Sequence, residues 1–147
     1  MQTFRAELTA PAGPDEVHAY LEDFARHPEW RFDVVASTLA GGLPGGVGAR
    51  YDQVLAAGHR ERSVEAELTD SERPTMLAFR VHDGRGSTDV GLEIAPEGDG
   101  SRVALEVGQA WHGRPWHRRP RDLPSAEELA VRYARDLAAA LGGAVDG

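Results

Sequence analysis

The sequence predicts an α+β fold in which one antiparallel sheet is closed by a long C-terminal helix. Two observations point to it. Between residues 32 and 111 a series of apolar-polar runs is separated only by short Gly- and Pro-rich stretches, so consecutive strands should pair as hairpins, a meander and not a set of βαβ units. After residue 125 the periodicity changes to four, with Leu129, Tyr133, Leu137 and Leu141 in one stripe.

Each element follows in order. Residues 2–9 alternate and stop at Pro11-Ala12-Gly13-Pro14, as a first strand does. Pro14 suits a first helical position, Asp15 and Glu16 suit the positive end of the dipole, and Val17, Tyr20, Leu21 and Phe24 recur at helical spacing. His27-Pro28 is expected to interrupt that helix, with Glu29-Trp30 opening a second short turn or the next strand. Strands are then predicted over 32–39, 49–57, 62–70, 76–83, 87–95 and 102–111, with 40–48 a loop. Ser125-Ala126-Glu127-Glu128 has the spacing of a capping box, and Gly142-Gly143 ends the last helix. The tail 144–147 is expected to fray. No internal repeat or domain boundary interrupts the chain, so residues 1–147 form a single domain.

Several local motifs give this order a family likeness. Ala10-Pro11 leads into Pro14-Asp15-Glu16-Val17, Leu21-Glu22-Asp23 precedes Pro28-Glu29-Trp30, and Gly46-Val47-Gly48-Ala49-Arg50-Tyr51 and Gly98-Asp99-Gly100-Ser101-Arg102-Val103 form two hairpins. The chain resembles, over nearly its whole length, the polyketide cyclase/dehydrase branch of the START-like (SRPBCC, Bet v 1-like) superfamily. That resemblance implies a helix-grip fold: a curved sheet of six to seven antiparallel strands wrapped around the C-terminal helix, with two short helices after the first strand. It also implies a cavity between sheet and helix that takes apolar or aromatic small molecules. The family spans aromatase/cyclases, lipid carriers, hormone-binding proteins and co-chaperones, so the fold leaves function open. The stretch from Trp111 to Pro124 is longer, more basic and richer in proline than in many relatives.

Composition narrows the chemistry. The chain has 147 residues, no Cys, 16 basic side chains that are all Arg, and 24 acidic ones, for a formal charge of −8. Thiolate chemistry, Cys-bound zinc, Schiff bases and a P-loop lysine are excluded. The loop Gly41-Gly42-Leu43-Pro44-Gly45-Gly46 lacks the Lys-Ser/Thr of a nucleotide loop and opens onto no helix. Segment 112–121 carries four Arg and no acid, so the rest of the chain carries −12. A body of that charge is a poor partner for nucleic acid. No signal peptide or membrane span is evident, and a cytoplasmic location is expected.

The strand faces suggest a site. Tyr51, Gln53, Phe79, Leu92, Gln109, Trp111 and Tyr133 would line a mostly apolar cavity with a few polar handles, and Trp30 would border it. The same residues are equally suited to filling a core. Catalysis would need an ionisable group facing inward; Arg50, Tyr51, Arg80, His82 and Glu106 are the candidates, with Glu65 and Glu67, and a wet outer face is the competing reading for the charged ones. No cofactor is expected. No metal is expected either, because His112 and His117 lie five residues apart in a loop without an acidic ligand. Arg114, Arg118 and Arg119 could steer an anionic ligand to the cavity mouth. The alternative is an interaction protein that uses loop 112–121 to meet an acidic partner. Monomer and homodimer both remain open.

Overall fold

The computed structural model describes residues 2–112 and 123–146. Strand β1 (Thr3–Ala10) is followed by helix α1 (Pro14–Glu22), a 3-10 turn (Phe24–Arg26) and the one-turn helix α2 (His27–Trp30). Strands β2 (Val34–Gly41), β3 (Arg50–Ala57), β4 (Arg60–Glu72), β5 (Met76–His82), β6 (Gly86–Glu97) and β7 (Gly100–Trp111) form the meander, and α3 (Ala126–Leu141) and β8 (Ala144–Val145) close the chain. All eight strands join one antiparallel sheet in the order β2-β3-β4-β5-β6-β7-β1-β8.

The period-2 pattern decides which side chains face inward. Tyr51, Gln53 and Leu55 of β3, Val64, Ala66 and Leu68 of β4, Leu77, Phe79 and Val81 of β5, and Val103, Leu105 and Val107 of β7 are all buried. Helix α3 lies across β1 and β7 and buries Leu129, Tyr133, Leu137 and the alanines between them. Full burial of a large apolar side chain contributes roughly 1.5–3 kcal/mol, so this stripe is a main attachment of helix to sheet. Ser125 caps α3 by accepting from the Glu128 amide at 3.1 Å. The Glu128 carboxylate turns outward to Arg132, 3.2 Å away, so one half of the expected box is made.

Two expectations are corrected. The helix breaks at Asp23, not at His27-Pro28; Pro28 sits in the first turn of α2, where its missing N–H costs nothing. The tail does not fray at once, because Ala144 and Val145 pair with Thr9 and Leu8, and the Asp146 amide donates to Glu7 O at 2.9 Å. Two glycines allow that return. Gly142 takes φ 73°, and a Cβ on Gly143 would lie 1.7 Å from Thr9 O. Among the described residues no helix is long and apolar enough to cross a membrane.

Candidate functional site

The interior between sheet and helix is organised by α2. Its single turn places His27 and Arg31 one helical turn apart, with the Arg31 amide donating to His27 O at 2.8 Å. Both side chains, and Trp30 between them, point inward and are fully buried or nearly so. From the sheet side, Gln53 of β3 meets them, and Tyr133 of α3 meets them from the helix side.

A polar network results. Arg31 Nη1 donates to Gln53 Oε1 at 2.7 Å and to His27 Nδ1 at 2.9 Å, while Arg31 Nε donates to the Tyr133 hydroxyl at 3.2 Å. Gln53 Nε2 also donates to His27 Nδ1, at 2.9 Å, and to Ser37 Oγ, at 3.0 Å. The Tyr133 hydroxyl donates onward to Asp33 Oδ1 at 2.7 Å. The phenol therefore links a buried guanidinium to a buried carboxylate. Such a pair is tolerated inside a protein only when its polar atoms are hydrogen-bonded, as here. Aromatic faces complete the shell: the Arg31 guanidinium carbon lies 5.3 Å from the Phe79 ring centre and 5.4 Å from that of Tyr133.

The network fixes the state of His27. Two donors converge on Nδ1, so Nδ1 carries the lone pair and the proton sits on Nε2. Burial holds the imidazole well below its ordinary pKa, and the neighbouring Arg31 charge adds to that. Burial likewise pushes the Tyr133 phenol well above its usual range. Among the described residues, two donors here have no acceptor: His27 Nε2–H and Trp30 Nε1–H, both fully buried. Their rings stand edge to face with centres 5.3 Å apart. Buried polar groups are nearly always paired, so two donors without a protein acceptor in neighbouring rings single out this part of the interior.

The sequence-derived residues divide between the two faces. Trp30, Tyr51, Gln53, Phe79, Leu92 and Tyr133 all lie in the buried interior. Gln109 and Trp111 face inward at the far end of β7, where Gln109 Nε2 donates to Pro124 O at 3.2 Å. They help to line a pocket of about 30 Å³ with Asp33, Leu55, Leu123 and Leu129, space for about one water. The open cavity that the resemblance implies between sheet and helix is not seen there among the described residues: Trp30, Arg31, Phe79 and Tyr133 fill the centre. Larger concavities, about 480 and 540 Å³, lie on the opposite face of the sheet.

Most charged candidates are on that opposite face. Arg50 is exposed, Arg80 pairs with Asp89 at 2.7 Å, His82 lies 3.4 Å from Glu65, and Glu67 and Glu106 point the same way. Strand alternation is the cause, since each is one residue out of phase with a buried neighbour. Only Tyr51 faces inward, its ring 5.3 Å from Phe24 and its phenol pushed up chiefly by burial. Arg114, Arg118, Arg119 and His117 lie outside the described residues. The interior groups that sequence reasoning missed are His27, Arg31 and Asp33. For His27 and Arg31 a signal was present: in His27-Pro28-Glu29-Trp30-Arg31, the first and last residues share a helical face with a large aromatic beside them.

Comparison with known proteins places this architecture. Ginseng major latex-like protein 151 from Panax ginseng matches with a TM-score of 0.70 at 14% identity, over 95% of this chain and 97% of that one. Ara h 8.0201 gives 0.67 at 14% identity over 95% and 97%, and TTHA0849 from Thermus thermophilus gives 0.67 at 18% identity over 95% and 99%. At these identities the likeness concerns the fold alone. A search of curated proteins returns no match. The family model described as polyketide cyclase/dehydrase and lipid transport matches residues 1–145, and the chain accordingly belongs to that family, with the helix-grip architecture of Bet v 1-like proteins.

Proposed function

We propose that the protein binds a small, largely apolar or aromatic molecule between the sheet and α3, anchored by a hydrogen-bond acceptor on the ligand. The observation that carries this reading is the pair of orphan donors, His27 Nε2–H and Trp30 Nε1–H, set among Phe24, Phe79 and Tyr133. Aromatic walls with a few convergent polar groups are the usual make-up of small-molecule sites. A carbonyl, phenol or carboxylate oxygen would satisfy donors that the closed interior leaves unpaired. Because the interior is filled, entry requires a shift of side chains or of α2, which is only one turn long.

Binding fits the interior better than turnover. The lone pair of His27 Nδ1 already accepts two hydrogen bonds, and Asp33 is held by Tyr133, so neither is free to act as a general base. The test is native mass spectrometry of untagged protein purified from its own host. A stoichiometric small-molecule adduct, diminished by Trp30→Phe, is expected. Adduct-free protein from the host, together with no saturable binding of 1-naphthol or palmitate in isothermal titration, would refute the reading.

A further inference from the structure

The outer face of the sheet carries a set of side chains that the interior site does not use. Strand register brings Asp52 of β3, Glu65 of β4, His82 of β5 and Ser87 of β6 into one row, and Arg50, Glu67, Arg80 and Asp89 into the next. In the second row acids and arginines alternate, and Arg80 is committed to Asp89 at 2.7 Å. The first row is different. It sets Asp52 directly opposite Glu65 with no arginine in it, an arrangement of like charges that costs stability unless something positive lies between or beside them.

One ligand atom from each of Glu65, Glu67 and His82 can be chosen so that all lie within 4.8 Å of one another. His82 Nε2 and Glu65 Oε1 are 3.4 Å apart, close to the edge of a tetrahedron with metal–ligand bonds of about 2.1 Å. The three side chains are half-buried and stand on two central strands, so the backbone fixes their spacing. Beside them is an open concavity of about 540 Å³, bordered by Glu67, His82, Ser87, Asp89 and His112. It leaves room for water or a further ligand on a bound ion. Glu67 stands between Arg50 and Arg80 in the register and interacts with the Arg80 charge, but Arg80 gives its hydrogen bonds to Asp89.

We propose that Glu65, Glu67 and His82 form a site for a divalent transition-metal ion of the Zn²⁺ kind. An imidazole with two carboxylates favours such borderline ions over Mg²⁺ or Ca²⁺, which prefer oxygen alone. It lies on the face of the sheet away from the proposed small-molecule interior.

Isothermal titration of untagged, chelator-treated protein with Zn²⁺ alone tests it. One ion per chain with a dissociation constant below about 0.1 mM is expected, weakened at least tenfold by His82→Ala and by Glu67→Gln. His59→Ala, in the exposed β3–β4 turn, should leave binding unchanged. Circular dichroism of each variant verifies the fold. Absence of saturable binding, binding that survives both His82→Ala and Glu67→Gln, or loss of binding in His59→Ala would each overturn the assignment and leave Glu65–His82 as a surface contact.

Discussion

Replacing Tyr133 with Phe keeps the ring and deletes one oxygen, which makes it a clean probe of the buried network. That oxygen donates to Asp33 at 2.7 Å and accepts from Arg31 at 3.2 Å. Hydrogen bonds to charged groups contribute roughly 1.5–3 kcal/mol each, so the two together set an upper range of about 3–6 kcal/mol. Asp33 is 6% exposed and can recover part of its share from water, which brings the expected loss to about 3–4 kcal/mol. For a domain of this size, that lowers the thermal midpoint by about 10 °C and the urea midpoint by about 2 M at unchanged slope. Tyr51→Phe is the control, since its hydroxyl takes no part in the network; less than about 1 kcal/mol is expected there. Adding Asp33→Asn to Tyr133→Phe removes the carboxylate left unpaired, so the double variant should lose less than the sum of the singles by about 1–3 kcal/mol. A Tyr133→Phe loss under about 1 kcal/mol, or strict additivity with Asp33→Asn, would show that the phenol does not bridge the two charges.

Two other expectations concern acid and the C-terminal return. The folded pKa of His27 lies well below its unfolded value of about 6.5, so below that pH the unfolded chain takes up a proton the folded chain refuses. Stability should therefore fall by up to about 1.4 kcal/mol per pH unit as pH drops from 6.5 towards 5, with no contribution from this group above that range. His27→Gln should flatten the slope in chemical-denaturation series, and an equal slope in both proteins would contradict the assignment. Gly143→Ala sets a methyl against Thr9 O and should detach β8, seen as fast hydrogen exchange at the Asp146 amide that now bonds to Glu7 O. Unchanged exchange there would mean that the close approach is not what requires glycine.

The fold was legible because its determinants are local. Hairpin turns, alternating strands and the Ser125 cap are each encoded within a few residues, and the observed bounds differ from the expected ones by small shifts such as 32–39 against Val34–Gly41. The β1–β8 pairing escaped because it joins Leu8 to Val145, a contact that no local window contains. The site was half legible for the same reason. Alternation puts Gln53, Phe79 and Gln109 on the inner face without any knowledge of tertiary structure. It gives no account of Arg31, whose burial depends on Gln53, His27 and Tyr133 converging from three elements. Arginine is normally read as surface, and only that convergence offsets the cost of desolvating it.

If the interior binds a ligand as proposed, the network that holds the fold also governs access to it. Closed, the interior gives the His27 and Trp30 ring donors no protein acceptor among the described residues, and a buried donor left wholly unpaired costs roughly 1–3 kcal/mol. A ligand that supplies acceptors to both recovers that cost, but it enters only when α2 or the rings around it have moved. Apparent affinity is then the intrinsic affinity reduced by the fraction of molecules that are open. The hydrogen bonds from Arg31 to Gln53, His27 and Tyr133 oppose opening, so they weaken binding even though none of them need touch the ligand. Tyr133→Phe therefore acts in two opposite directions: it destabilises the fold and raises the open fraction. A variant that melts earlier yet binds 1-naphthol more tightly would tie the buried charges to ligand access, a coupling that simple core filling by the same residues does not produce.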